Sequence, residues 1–187
     1  WTEVVDASVV ESTGPVRLRT EFDRLQQGTG RKTPRCESIR NAAAAVRGHG
    51  VRAILLAGPS AKDLTDLPKG VEAFESAPYH ALFPRCAAVV HSGGIGTTAQ
   101  ALRAGVPQMI VPFAHDQYDN AARIVRMGAG EALDGRNPTG RELAATLSRL
   151  LDDDKIKEEA ARVGAAVRAE NGVRTACDAI EATLKSF

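Results

Sequence analysis

Apolar residues fall along this chain in short runs separated by segments with a helical period. Val51–Ala57, Val71–Phe74, Ala87–Val90, Met109–Val111 and Ala132-Leu133 are predominantly apolar, with Arg52 and Glu72 as the charged exceptions, and Gly, Pro or polar residues bound most of them. Runs of this length with turn residues at their ends predict strands, several of them buried on both faces. Between them the apolar positions recur every three to four residues. Ile39, Ala42, Ala43 and Val46 form one such stripe, in a helix that opens near Thr33-Pro34 and stops at Gly48 or Gly50. Ala81–Pro84 predicts a helical turn, Ala99–Ala104 a helix closed by Gly105, and Tyr118–Met127 a helix with Ala122, Ile124 and Val125 inward.

Thr139-Gly140-Arg141-Glu142 has the spacing of a capping box, which predicts a helix through Leu151. Asp152-Asp153-Asp154 opens the next, to about Ala169, and Gly172–Ser186 forms the last. In that last helix Val173, Ala176, Ala179, Ile180 and Leu184 share one face. Ala61–Gly70 is polar and reads as a loop. Strands alternating with helices predict an α/β fold, a doubly wound, Rossmann-like parallel sheet with right-handed crossovers. Residues 1–20 are different: Val4-Val5 and Ala7–Val10 suit short strands, but Ser12-Thr13-Gly14-Pro15 breaks them. That segment reads as a linker or joint, with one domain over residues 21–187. The chain opens at Trp1 rather than Met, as expected of a piece of a longer protein.

Composition adds little to this picture but excludes several classes. The 187 residues suffice for one domain with a sizeable core, and 43% hydrophobic with 25% charged content is ordinary for a globular chain. A net charge of +1 gives no attraction to nucleic acid, and no apolar run reaches membrane-spanning length. Cys36, Cys86 and Cys177 have neither CxxC nor metal-ligand spacing, so buried thiols in a reducing, cytoplasmic setting are expected, with no metal site.

The candidate chemistry lies in Ala87–Gln117. The strand Ala87–Val90 leads into His91-Ser92-Gly93-Gly94-Ile95-Gly96-Thr97-Thr98. Glycines allow a tight turn and close backbone approach by a ligand. Thr97 and Thr98 stand where a helix starts, so free N–H groups and the positive end of the helix dipole face the turn. A strand, a Gly-rich turn and a helix N-terminus form an anion site, and phosphate is the expected anion. Packing alone also produces such turns. Asp116 and Gln117 follow the next strand, at the carboxyl end of the sheet where α/β ligands sit.

From Val71 to Leu133 the sequence resembles the donor-binding half of GT-B glycosyltransferases of the UDP-glycosyltransferase type, in the bacterial branch acting on macrolides, sterols and other natural products. Pro78, Leu82-Phe83-Pro84-Arg85, Ala87–Val90, His91 through Thr98, Arg103-Ala104-Gly105-Val106-Pro107, Val111-Pro112-Phe113 and Asp116-Gln117 carry the resemblance. It implies a strand order of 3-2-1-4-5-6. It also implies that Phe22–Gln27 is the central first strand, with Gly28 and Thr29 in a turn at the donor diphosphate. Asp23, Arg24, Gln26 and Gln27 depart from that pattern, being poor residues for a doubly buried strand, so either the strand is partly exposed or its register differs.

The resemblance further implies that His91 donates to an α-phosphate oxygen and that Gly94, Gly96, Thr97 and Thr98 supply N–H and hydroxyl donors to the diphosphate. The competing reading of His91 is a hydrogen-bonded core histidine. Asp116 and Gln117 are implied to hold the donor sugar's hydroxyls, or else cap the helix that follows. Ala77, Pro78 and Tyr79 fall at the nucleoside-binding segment, where plant members place a Trp at the position of Ser76, and Gln100 where relatives contact the ribose. Tyr79 equally suits a surface aromatic, and His115 and His49 read as surface histidines. Asp152-Asp153-Asp154 is a solvated helix start, and no metal or other cofactor is expected beyond a UDP- or TDP-hexose as substrate. No residue here matches the family's catalytic base, which belongs to an amino-terminal acceptor domain outside this chain. The implied reaction is hexosyl transfer to a small-molecule or lipid acceptor with inversion. Two alternatives stay open: a GT-B enzyme of cell-wall lipid glycosylation or nucleotide-sugar epimerisation, and a non-catalytic nucleotide-sugar binding module.

Overall fold

The computed structural model describes residues 18–21, 52–64, 67–133 and 138–185. Its strands are β1 (Leu18–Glu21), β2 (Ala53–Leu56), β3 (Val71–Phe74), β4 (Val89–His91), β5 (Gln108–Ile110) and β6 (Gly130–Ala132). They form one sheet in the order β3-β2-β1-β4-β5-β6, and each neighbouring pair is parallel. This is the doubly wound order expected. The helices are α1 (Tyr79–Leu82), α2 (Ile95–Ala104), α3 (Gln117–Arg126), α4 (Gly140–Asp152), α5 (Asp154–Ala169) and α6 (Gly172–Leu184), with 3-10 segments at Gly58–Asp63 and Phe83–Arg85. The expected loop Ala61–Gly70 therefore begins inside a 3-10 segment, and the helical turn starts at Tyr79 rather than Ala81.

The central strand is corrected. Leu18–Glu21 holds the place expected for Phe22–Gln27: Thr20 lies in register with Leu55 on one side and Val90 on the other. Leu18-Arg19-Thr20-Glu21 carries a single aliphatic residue, so no apolar run marks it in the sequence. β1 also crosses the boundary drawn between residues 20 and 21. Phe22–Gln27 itself, the Gly28–Gly30 turn, the helix expected from Thr33 to Gly50 and the strands expected near Val4–Val10 lie outside the described residues.

Alternation along the strands explains the layers, because successive side chains point to opposite faces. Ala53, Leu55, Val90, Met109 and Val111 pack with Leu143, Leu147 and Leu150 of α4 on one face. Ile54, Leu56 and Val89 pack with Leu82, Phe83 and Ala101 of the α1–α2 side on the other. Ile110 completes that second face with Ala121 and Ile124 of α3 and Ala160 of α5. Burying each of the larger aliphatic side chains contributes about 1.5–3 kcal/mol. Helix starts follow their sequence signals. Thr139 and Glu142 form the capping box in both directions, and the bonds from the Thr139 amide and hydroxyl hold the Glu142 carboxyl below its ordinary range. Asp153 caps α5 by accepting from the Lys155 and Ile156 amides. The last helix behaves differently: no residue of α6 is buried, and Val173, Ile180 and Leu184 are 78%, 60% and 69% exposed.

Candidate functional site

β4 ends at His91, beside the gap between β1 and β4 where the strand order reverses, and ligands of open α/β sheets sit outside the strand ends at this point. From there Ser92, Gly93 and Gly94 carry the chain into α2. Gly93 has φ +91°, a left-handed conformation that side chains rarely adopt. A Cβ there would lie 2.8 Å from Ile110 Cγ2 and 3.1 Å from the Gln117 carbonyl oxygen. Gly94 and Gly96 are the opposite case, since a Cβ on either meets no heavy atom within 4 Å. Gly94 is the N-cap, so α2 begins at Ile95, earlier than the expected Ala99, and its first turn carries no acidic residue. Thr98 N–H donates to the Gly94 carbonyl at 3.0 Å, which leaves the preceding Ile95 and Gly96 amides without an intrahelical acceptor. Amides without an intrahelical acceptor, a positive dipole end and open space are the features an anion site requires.

The threonines divide. The Thr98 hydroxyl also donates to the Gly94 carbonyl, at 3.0 Å, and the residue is buried. Both of its donors hold the helix start, which favours a structural part for Thr98 over the expected bond to the diphosphate. Thr97 is half-buried beside the open face.

His91 lies inward of the turn. It is 1% exposed, its Nδ1 accepts from the Gly93 amide at 3.0 Å, and its Nε2 lies 2.8 Å from Gln108 Oε1. An amide nitrogen only donates, so Nδ1 is unprotonated and the ring carries its proton on Nε2, donating to Gln108. With that N–H engaged, the ring has none for a phosphate. These bonds favour the core-histidine reading over the phosphate reading, and they lock the turn. Gln108 was invisible as a partner because it stands 17 residues away, just before the apolar run read as a strand. Its Nε2 is buried without a partner among the described residues.

Asp116 and Gln117 open α3. Gln117 is buried, and its Oε1 accepts from the Phe113 and Ala114 amides at 2.8 and 3.1 Å, so it staples the loop that leads to the helix. Asp116 is exposed and stands at the N-cap without a side-chain capping bond. The capping alternative thus fails for Asp116. Its Oδ2 accepts instead from Asn120 Nδ2 at 2.8 Å. Asn120, absent from the sequence reading, also donates to the Gly93 carbonyl at 2.9 Å. Its signal was the four-residue spacing from Asp116, which stacks the two on one helix face. His115, exposed between Ala114 and Asp116, has φ +56°, the one positive φ among described non-glycine residues.

The nucleoside candidates sit along α1 and α2. Ala77 and Tyr79 are half-buried and Pro78 is exposed. Tyr79 stacks on the buried Phe83 with ring centroids 4.9 Å apart, so it is a core-edge aromatic rather than a surface one. Gln100 is exposed on α2. Gly28 and Thr29 lie outside the described residues. Among the described residues no group of three His, Cys, Asp or Glu side chains is placed to hold a metal, and no helix is long and apolar enough to cross a membrane.

Comparison with known proteins agrees with the fold. The O-mycaminosyltylonolide 6-deoxyallosyltransferase of Streptomyces fradiae is 44% identical over 146 residues, covering 78% of this chain and 34% of that protein. The calicheamicin glycosyltransferase CalG4 superposes with a TM-score of 0.76 at 25% identity, over 93% of this chain and 44% of that one. The glycosyltransferase VinC, solved in complex with dTDP, gives 0.73 at 26% identity, over 90% and 41%. The chain thus spans about a third of the length of the first and under half of the other two. Residues 39–180 match the family described as erythromycin biosynthesis protein CIII-like, C-terminal domain, and the chain belongs to that family, a carboxyl-terminal Rossmann-like half of GT-B glycosyltransferases of the UDP-glycosyltransferase type.

Proposed function

We propose that this chain is the nucleotide-sugar binding domain of a glycosyltransferase that moves a hexose from a UDP- or TDP-sugar to a small-molecule or lipid acceptor, with inversion. The observation that carries the reading is the open space over Gly94 and Gly96 at the start of α2, beside two amides without intrahelical acceptors. There the diphosphate would be held by the Gly94, Ile95 and Gly96 amides, with Thr97 beside them. The dTDP complex of VinC supports a thymidine donor. Asp116, exposed next to the turn, is the candidate for a sugar hydroxyl, and its carboxylate accepts such a bond. Ala77 to Tyr79 and Gln100 would face the nucleoside.

In the reaction the acceptor oxygen bonds to the anomeric carbon as the bond to the departing phosphate oxygen breaks. Charge grows on the leaving diphosphate, and fixed amides aimed at it stabilise the transition state more than the ground state. The base that takes the acceptor's proton belongs to an acceptor-binding half outside this chain. The short span relative to CalG4 and the uncovered apolar face of α6 support that partner domain. The scattered spacing of the cysteines, Cys86 buried and Cys177 exposed, supports a cytoplasmic setting.

Calorimetric titration of the 187-residue chain tests the reading. TDP or UDP should bind, and Asp116→Ala should weaken the nucleotide sugar about tenfold while leaving the free diphosphate unchanged, one charge-assisted bond being lost. Absence of binding by either diphosphate would sink the donor-site reading. Equal weakening of both ligands would remove Asp116 from the sugar.

A further inference from the structure

We propose that Asn120 is the positioning residue that couples the two halves of the donor site, aiming an amide at the diphosphate and a carboxylate at the sugar; this rests on the donor-site reading above. Asn120 is buried, and both hydrogens of its side-chain NH₂ are in use, one on the Gly93 carbonyl at 2.9 Å and one on Asp116 Oδ2 at 2.8 Å. Both partners only accept, so the amide's orientation is fixed by chemistry. The Gly93 carbonyl shares a peptide plane with the Gly94 amide, and in a trans peptide the two point in opposite directions. Drawing that carbonyl inward to a buried side chain turns the Gly94 N–H outward, to the side where Gly94 has open space. His91 holds the other side of Gly93 through its amide.

The second hydrogen acts on Asp116. It occupies Oδ2 and leaves Oδ1 for a ligand, with the carboxylate pinned relative to the turn. One amide group therefore sets the angle between a phosphate donor and a hydroxyl acceptor. A ligand carrying both groups gains from this registration, and a ligand carrying one gains only half of it. Truncating Asn120 should lower affinity for the nucleotide sugar more than for the diphosphate, and the excess should need Asp116.

The experiment is a double-mutant cycle on the 187-residue chain, with TDP and TDP-glucose titrated into wild type, Asn120→Ala, Asp116→Ala and the double variant. Asn120→Ala should weaken TDP about fivefold, and the preference for TDP-glucose over TDP should fall roughly a further fivefold to tenfold. Asp116→Ala should lower that preference alone, and adding Asn120→Ala to it should lower the preference no further. A merely structural Asn120 would reduce both affinities in proportion and leave the preference at its wild-type value, and that result overturns the proposal. Failure of the wild type to bind either ligand is a failure of the donor-site reading instead. If Asn120→Ala does not fold, the NH₂ resonances of Asn120 in the ¹⁵N-labelled wild-type chain decide. Both should shift with TDP-glucose, and the one on Gly93 alone with TDP. Unmoved resonances with both ligands overturn the coupling.

Discussion

Gly93 and Gly96 stand three residues apart in one turn, and their surroundings differ in kind. Gly93 is enclosed: its φ is +91°, its missing Cβ is hemmed in by Ile110 and Gln117, its amide is held by His91 and its carbonyl by Asn120. Gly96 and its neighbour Gly94 have no heavy atom within 4 Å of a Cβ, and Gly94 has a backbone conformation open to most residues. All three read identically in the sequence as freedom from a side chain. In Gly93 that freedom serves the fold, and in Gly94 and Gly96 it leaves room for something else. The direction of the absent Cβ, rather than the count of glycines, separates a packing turn from a binding turn.

The largest effect is expected at the enclosed residue. Gly93→Ala forces a side chain into the left-handed region, at about 1–2 kcal/mol. It also overpacks a filled core against Ile110, at about 1–3 kcal/mol. Together these should lower stability by roughly 2–5 kcal/mol, equivalent to a melting shift of roughly 5–15 °C for a domain of this size. Thermal and denaturant melts followed by circular dichroism check this. A loss under about 0.5 kcal/mol, the range of an ordinary surface change, would show that the turn relaxes and that the two glycines are alike.

His91→Ala should come next. It leaves the Gly93 amide and the Gln108 side-chain oxygen without their partner in the interior, at about 1–3 kcal/mol in all, because water can enter the space the ring vacates. His91→Asn sharpens the comparison, because an Asn side-chain oxygen accepts from the backbone amide two residues on, as Nδ1 does here. Asn should recover part of the lost stability, the part that belongs to Gly93. If both variants match wild type in melting but weaken TDP binding equally, His91 is a phosphate ligand after all, and the turn holds itself.

What the sequence disclosed follows from range. β2 to β5 announced themselves as apolar runs because helices cover both faces of the sheet, and the capping box at Thr139 needed only a four-residue window. β1 escaped, since Leu18-Arg19-Thr20-Glu21 owes its place to pairing with β2 and β4 and not to its own composition. The candidate site is legible in the sequence as a set of residues and not as a division of labour. His91, Gly94, Gly96 and Asp116 were all named, yet the roles turn on partners 17 and 27 residues away, Gln108 for His91 and Asn120 for Gly93. The α2 start was set late because Ile95-Gly96 resembles more of the turn than the first turn of a helix. Thr98 lies two residues past the Gly96 amide, and its donors already belong to the helix.

The smallest effect on stability is expected at the open residue, and there the effect should appear in binding. Gly96 lies in the first turn of α2, where Ala is the better helix former by up to about 1 kcal/mol, so Gly96→Ala should leave stability unchanged or slightly raised. Its new methyl meets no protein atom within 4 Å, and it stands on a residue whose own amide has no intrahelical acceptor. A phosphate oxygen bonded to such an amide sits about 2.9 Å from the nitrogen, and it is the remaining oxygens of the diphosphate that a methyl on the same residue would crowd. Affinity for TDP should therefore fall about tenfold, or about 1.4 kcal/mol, in a chain that melts no earlier than wild type. Calorimetry and a melt on the same preparation give both halves of the result. Loss of stability would mean that Gly96 is enclosed like Gly93. Unchanged affinity in a stable variant would mean that the diphosphate does not approach this face, leaving Gly96 as only a weak helix residue beside an unused turn.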